Sequence, residues 1–402
     1  MTAFGYTILG FGSGSSGIPT AIPAGSGTVF SDDHVIDSQC ALLMDADDPD
    51  KCVMVYRDNN SYRCEAVVCT IDGTTITAGT PVVATALSKS TYYVGGAGVQ
   101  NNKFVVSYQR SDSHYLFARI GEVDGTGITF GTEYAVNSVY MYWSECGWDF
   151  RGGDKFAIVW RVAGAGEAGA AENDHMVRVG TVSGTTITMG TAVVMDDSHY
   201  SHSQTVKWDS NTDNTFAITF YKSSHGAAFG RVCTVSGTTV TVGSVEALGG
   251  NYSLQYADGM DYDPFTANKF VVVYSDGGDA RCKIGTVSGT SLTWGSAITF
   301  NDTDASKAVI AFDPINQNQL VVVYESTDGD DYLACKIGTL DLAGDTIAFG
   351  EEFKIMDADP NSSNIRVTFA PSAWEQSGKF LVIYPDDDNS DYGTVVVCQI
   401  GT

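Results

Sequence analysis

Two stretches of the chain set metal-ligating side chains close together. His199-x-x-His202 follows Asp196 and Asp197, and imidazole beside carboxylate is a donor set for zinc or manganese. Asp45-Ala46-Asp47-Asp48-Pro49-Asp50 has the carboxylate density of a calcium loop without the spacing or glycine of an EF-hand, and Asp328-Gly329-Asp330-Asp331 and Asp386-Asp387-Asp388 are further acidic turns. A solvated loop and an Asp-capped turn account for these clusters more simply, so no metal and no cofactor is assigned. Gly12-x-Gly14-x-x-Gly17 matches a dinucleotide fingerprint in its glycines only, because Ile18-Pro19-Thr20-Ala21-Ile22-Pro23 follows where a helix must begin. A serine nucleophile elbow, a P-loop, paired Cys-x-x-Cys sites and His-Glu-x-x-His are missing, and no catalytic residue is assigned. The remaining chemistry is recognition: Tyr140, Tyr142, Trp143, His199, Tyr200, His202, Tyr252 and Tyr256 crowd into three connecting segments. Aromatic rings beside polar groups suit sugars, whose C–H faces stack while their hydroxyls hydrogen-bond; packing between neighbouring structural units is the alternative account of the same rings.

The elements that must position these residues are repeats. A β-branched run closing on an aromatic residue occurs seven times, with closing residues Tyr56, Tyr108, Trp160, Phe220, Tyr274, Tyr324 and Tyr384, 50 to 60 residues apart. Such a period marks a repeat architecture. After each of the first six runs comes Ile71-Asp72-Gly73-Thr74 or a counterpart: Val123-Asp124-Gly125-Thr126, Val182-Ser183-Gly184-Thr185, Val235-Ser236-Gly237-Thr238, Val287-Ser288-Gly289-Thr290 and the variant Leu342-Ala343-Gly344-Asp345. Asp-Gly and Ser-Gly between β-branched residues signal tight hairpins. Turns such as Asp48-Pro49, Asp263-Pro264 and Asp313-Pro314 precede the apolar runs, with Asp to cap and Pro to preset φ. Each unit therefore reads as four antiparallel strands, and seven units predict an all-β, seven-bladed β-propeller over residues 35–402.

The seventh unit stops after its third strand, at Ile400-Gly401-Thr402. Residues 1–34 are accordingly read as an N-terminal arm that supplies the missing outer strand and closes the ring. Two segments compete for that role, residues 5–12 and 25–30, separated by a Gly/Ser stretch. On the predicted propeller the aromatic-rich blade connections share one face with the hairpins joining second and third strands. The opposite face is built from short Asp-Pro and Ser-Gly turns. An insertion at 163–173, rich in Gly, Ala and Glu, falls between second and third strands of the third unit, where it either covers part of the aromatic face or is a disordered loop with no role.

Charge and cysteine usage narrow the partners. Forty-eight acidic against 22 basic residues give a net charge of −26, which argues against nucleic acid or an anionic membrane, since phosphate contacts need clustered cations. No Lys or Arg precedes Lys51, so the basic region of a secretory signal is missing, and no apolar run reaches membrane-spanning length. Cys282, Cys335 and Cys398 each stand two residues before an Ile-Gly. That repetition reads as small core filler, so the nine cysteines are expected to be mostly free thiols, in a protein folded in a reducing cytoplasm.

The units running from Arg178 through Val-Gly-Thr-Val-Ser-Gly-Thr-Thr-Ile-Thr-Met to Gly190, and from Lys283 through Ile-Gly-Thr-Val-Ser-Gly-Thr-Ser-Leu-Thr-Trp to Gly295, resemble tandem repeats of bacteriophage tail-fibre and other virion proteins. The resemblance covers about residues 35–402. It implies a virion component made in the host cytoplasm, exposed to the medium and in contact with other virion proteins, and it supplies no catalytic residues. The leading expectation is a non-enzymatic tail- or fibre-associated protein that binds a host surface glycan or protein through its loop-rich face. A capsid decoration or tail-assembly module is the second expectation. The third is a glycan-cleaving propeller enzyme, which needs two carboxylates about 5–10 Å apart; the Ser-x-Asp-x-Gly-x-x-Trp box of sialidase-type propellers is missing.

Overall fold

The computed structural model describes residues 21–23, 25–34, 40–86, 88–164, 168–196, 201–222, 225–249, 259–303, 305–327, 331–356, 365–369, 378–386, 390 and 392–400. They form seven antiparallel sheets, the blades of a seven-bladed β-propeller. The innermost strands, counted from the first blade, are Ala41–Met44, Thr91–Gln100, Met141–Trp148, Ser201–Trp208, Met260–Tyr262, Ala305–Phe312 and Arg366–Phe369. Second strands carry the apolar runs, and their closing aromatics, Tyr56 through Tyr384, are all at most 2% exposed. The outer strand of a blade is broken into two segments that pair with opposite halves of the same third strand. In the first blade Thr75–Ala78 lies against residues 69–72, and Val82–Val83 against residues 65–66.

Ring closure uses two N-terminal segments. Ala21–Pro23 pairs with residues 398–400, and Thr28–His34 pairs with residues 392–395, so both halves of the seventh blade's outer strand come from the start of the chain. Of the two competing segments, 25–30 takes part through Thr28, Val29 and Phe30, while 5–12 lies outside the described residues.

Turn chemistry follows the sequence reading. Gly73, Gly125, Gly184, Gly237 and Gly289 have φ between +58° and +63°, which closes two-residue hairpins at no steric cost. In the sixth blade Asp341 pairs with Thr346 across a longer loop, and Asp341 Oδ1 accepts the amides of Ala343 and Gly344. At the end of the inner strands Asp45, Asp149, Asp209, Asp263 and Asp313 are at most 3% exposed, and each carboxylate accepts backbone amides two or three residues on. Burying a carboxylate without partners is costly, and these amides offset part of that cost.

The blades are fastened to one another by two repeated devices. One is the glycine after each outer strand. A Cβ on Gly25, Gly79, Gly131, Gly190 or Gly243 would fall under 3 Å from a backbone oxygen, and for all but Gly79 the nearest is the carbonyl of the hairpin threonine of the next blade: Thr74, Thr185, Thr238 and Thr290 in turn. Gly25 against Thr74 is the ring-closing member. The other device is a cation on the third strand that donates to a carbonyl of the preceding blade. Arg119 reaches Ala84 at 2.6 Å, Lys283 reaches Leu248 at 2.5 Å and Lys336 reaches Phe300 at 2.7 Å, while Arg178 and Arg231 reach Val136 and Met195. At the two seams of the seventh blade apolar packing serves instead, with Val367, Phe380 and Val396 against the sixth blade and Leu381, Ile383 and Val397 against the first.

All nine cysteines are free and buried. Cys282 and Cys335 do share a slot, opposite Val273 and Val323. Cys398 does not: it faces Phe380, the position held by Cys69, Cys233 and the glycines 121, 180, 285 and 338 in other blades. Pairing in the seventh blade is displaced by three residues relative to the Ile-Gly pattern, an odd shift that moves Cys398 to the other face and puts Val395 in the slot of Cys282 and Cys335.

Candidate functional site

The face that carries the blade connections and the hairpins between second and third strands bears a contiguous aromatic surface on the first three blades. Its frame is a pair of bulged inner strands. Pairing skips between Tyr92 and Gly95 in the second blade and between Tyr142 and Ser144 in the third, and at these skips Tyr93 and Trp143 take φ of +50° and +41°. Bulky residues rarely adopt that region, and holding them there costs on the order of 1–3 kcal/mol each. The return is that two neighbouring side chains on each strand gather at one end of the sheet, which a regular strand, alternating its faces, does not permit.

The rings then meet across the blade boundary. Tyr93 lies 6.1 Å from Tyr142 edge to face and 5.5 Å from Trp143, and Tyr142 and Trp143 are 5.6 Å apart. Tyr140 packs edge-on against Tyr142 at 4.9 Å and against the exposed His114 at 4.6 Å. Tyr92, 41% exposed, extends the row beyond Tyr93. The guanidinium of Arg161 lies 4.6 Å from the Tyr142 ring and 4.4 Å from the Trp143 ring. Each such contact contributes about 0.5–2 kcal/mol and fixes the ring planes. Tyr140 donates its hydroxyl proton to Tyr142, and this bond, with some burial, pushes its pKa up to about 12.

Backbone contacts lock the platform to its neighbours. Ser144 Oγ donates to Tyr93 O at 3.1 Å, and Gln109 Nε2 donates to Met141 O. The insertion at 163–173 borders the same surface, since Ala163 N donates to Tyr140 O at 2.7 Å. Beyond residues 165–167, which are not among those described, it folds back onto the core through buried Ala170.

Of the sequence-derived binding residues, Tyr140, Tyr142 and Trp143 come together in this surface. His202 lies on the strand Ser201–Trp208 opposite Tyr221, the register that places Tyr142 opposite Arg161. His199, Tyr200, Tyr252 and Tyr256 lie outside the described residues. Tyr92, Tyr93, His114 and Arg161 were not anticipated, nor were Arg57 and Tyr62 beside them. A signal for some of them exists: Arg57, Gln109, Arg161 and Tyr221 each follow a closing aromatic, and in three of these blades that residue pairs with the aromatic or imidazole residue of the inner strand.

The acidic clusters are occupied with structure. Asp45 accepts the amides of Asp47 and Asp48, Asp48 pairs with Lys51 at 2.8 Å, and Asp47 accepts the Asn101 amide of the next blade. Burial outweighs the amide bonds at Asp45 and raises its pKa. Asp196, buried, pairs with Lys222 at 2.8 Å. No group of three His, Cys, Asp or Glu is disposed to hold a metal ion among the described residues. Asp197, Asp328 and Asp387 lie outside them, as does the glycine pattern at 12–17.

Along the axis runs a cavity of about 390 Å³ to which the inner strands of all seven blades contribute. Its charged lining is Glu145, Lys207, Asp261 and Arg366. Asp261 Oδ2 accepts the Phe312 amide at 2.8 Å, and Arg366 donates to the carbonyls of Cys40 and Ile365 at 2.9 and 2.8 Å, so these two groups brace neighbouring strands.

No family model matches the chain, and no curated protein matches it. Solved structures do. A protein from Lactobacillus plantarum is 12% identical with a TM-score of 0.52, over 77% of this chain and 83% of that one. An oligogalacturonate lyase in complex with manganese is 10% identical with a TM-score of 0.50, over 95% and 97%. Sqt1 of Saccharomyces cerevisiae is 10% identical with a TM-score of 0.50, over 94% and 99%. At these identities the likeness is one of fold alone.

Proposed function

We propose that this propeller is a non-enzymatic carbohydrate-recognition module that binds a glycan on the aromatic surface of its first three blades. The observation that carries the reading is the unbroken row Tyr92, Tyr93, Trp143, Tyr142, Tyr140 and His114, held in place by two bulged strands and braced by Arg161. A row of partly exposed rings offers stacking faces for successive sugars, and tyrosine hydroxyls at their edges offer hydrogen bonds. The same bulge recurs in the sixth blade with Lys307 at φ +53°, so what sets this surface apart is the aromatic side chains that its two bulges carry. The setting we propose, a bacteriophage tail or fibre recognising a host surface glycan, rests on the repeat resemblance. Binding of purified protein to extracted host polysaccharide tests the reading, with Tyr142→Ala/Trp143→Ala as the comparison. Saturable binding that the variant loses, without release of reducing ends, is the expected result. Release of reducing ends would replace it with a glycan-cleaving enzyme, and failure of the folded protein to bind would replace it with a decoration or assembly role.

A further inference from the structure

One cation beside the aromatic row contrasts with the ion-paired cations of neighbouring blades. Arg57, at the end of the first blade's second strand, is 7% exposed. Its buried Nε has no hydrogen-bond partner, and no carboxylate among the described residues lies within ion-pair distance of its guanidinium. Asp58, next in sequence, turns its carboxylate to the Ser61 amide at 2.5 Å instead. The contacts Arg57 does make are with rings: Tyr62 at 4.9 Å and Tyr92 at 5.1 Å, themselves 46% and 41% exposed. Tyr62 is fixed by φ of +55° and by its carbonyl, which accepts the Thr91 amide at 2.6 Å.

Several other cations at this end of the blades are paired with carboxylates. Arg110 holds Asp112 and Glu133 at 2.7 Å each, Lys222 holds Asp196 at 2.8 Å, Arg281 holds Asp276 and Asp279 at 2.6 and 2.7 Å, and Lys307 holds Glu325 at 2.8 Å. In a chain of net charge −26, carboxylates are the most abundant charged groups, so one buried guanidinium with none beside it among the described residues stands out from the pairing pattern. Burying a cation is costly unless it is paired, and two aromatic faces compensate it only in part.

We infer that Arg57, between Tyr62 and Tyr92, is the subsite for a sugar carboxylate, which makes the ligand an acidic, hexuronate-type glycan. The inference rests on the glycan reading above and names its substrate class. A guanidinium presents parallel N–H donors to a planar two-oxygen acid, and Tyr62 and Tyr92 present faces to the ring that carries it. Tyr92 belongs both to this pair and to the aromatic row, so an acid bound at Arg57 places its neighbouring sugars over Tyr93 and Trp143.

The test uses the whole chain with hexuronate oligosaccharides, alginate and polygalacturonate fragments, beside the same fragments after carboxyl reduction and beside a sulfated dextran, all by calorimetry. The wild type is expected to bind an acidic fragment at least tenfold more tightly than its reduced counterpart. Arg57→Met, which keeps the side-chain length, is expected to bind both equally and weakly. Arg57→Lys, retained in case the methionine variant does not fold, is expected to keep part of the preference because the charge remains. Equal binding of acidic and reduced fragments by the wild type, or an undiminished preference in folded Arg57→Met, would overturn the carboxylate subsite while leaving the glycan reading intact. Preference for the sulfated polymer would overturn it in favour of a sulfate site. Binding of none of them would overturn both.

Discussion

The two faces of this propeller solve the same problem, ending a strand, in opposite ways. On the face of Asp turns and Ser-Gly hairpins, one solution recurs around the ring: buried capping aspartates, hairpin glycines within five degrees of one another in φ, and a glycine seated against the next blade. On the other face the backbone repeats only in part and the side chains do not: an inner-strand bulge with a positive-φ residue recurs at Tyr93, Trp143 and Lys307, and Tyr62 and His114 hold equivalent hairpin positions, while the described connections differ in length and composition. Geometry that repeats serves the ring, because every seam needs the same fastening. Geometry that does not repeat is available for a ligand, which breaks the sevenfold pattern by binding at one place.

Substitutions can break this contrast or sharpen it. The largest effect is expected from Gly243→Val, which drives a side chain into the Thr290 carbonyl and the Val232 carbonyl. Denaturant unfolding should show a loss of about 3 kcal/mol, the upper end for overpacking, with glycan affinity of the remaining folded protein unchanged. Asp209→Ala comes next, since it strips acceptors from the amides of Asn211, Thr212 and Asn268. About 2 kcal/mol should be lost in the same assay, again without effect on binding. Tyr142→Ala/Trp143→Ala should reverse the pattern: glycan affinity falls at least tenfold, about 1.4 kcal/mol, while the unfolding midpoint moves little. The smallest effect concerns protonation. Tyr140 is pushed up to about 12 by donating to Tyr142. A folded-state pKa above the ordinary tyrosine value contributes stability that is present below pH about 10 and is lost as pH rises toward 12. Absorbance titration of tyrosinate should show this late ionisation, and Tyr142→Phe should bring it back toward the ordinary value. If binding-face variants cost as much stability as turn variants, the division of labour between the faces is wrong.

The regular face was legible in sequence because its causes are local. Gly at a hairpin tip and Asp before Pro act within four residues, and the closing aromatics mark their own period. The row of rings was only half legible. Tyr142 and Trp143 stand out among the connections, but Tyr93 joins them through a bulge in the neighbouring blade, and a bulge is set by pairing partners 12 to 19 residues away. Arg57 was not legible at all: a cation after a strand reads as solvated, and only the approach of Tyr92 from the next blade buries it. The Cys398 slot misled for the same reason, since Ile-Gly repeats in sequence while the seventh blade pairs three residues out of step with it.

The closed seventh blade also sets a schedule for synthesis. Residues 28–34 leave the ribosome well over 300 residues before residues 392–395, their partners. At roughly 5–20 residues per second that is on the order of 20–70 s during which an edge-forming segment has nothing to pair with and the growing ring is an open arc. Blades made early can fold on their neighbours as they emerge, but the final seam must wait for the last strand. A nascent chain stalled before residue 392 should therefore stay sensitive to protease within residues 21–34 while its second and third blades are already protected.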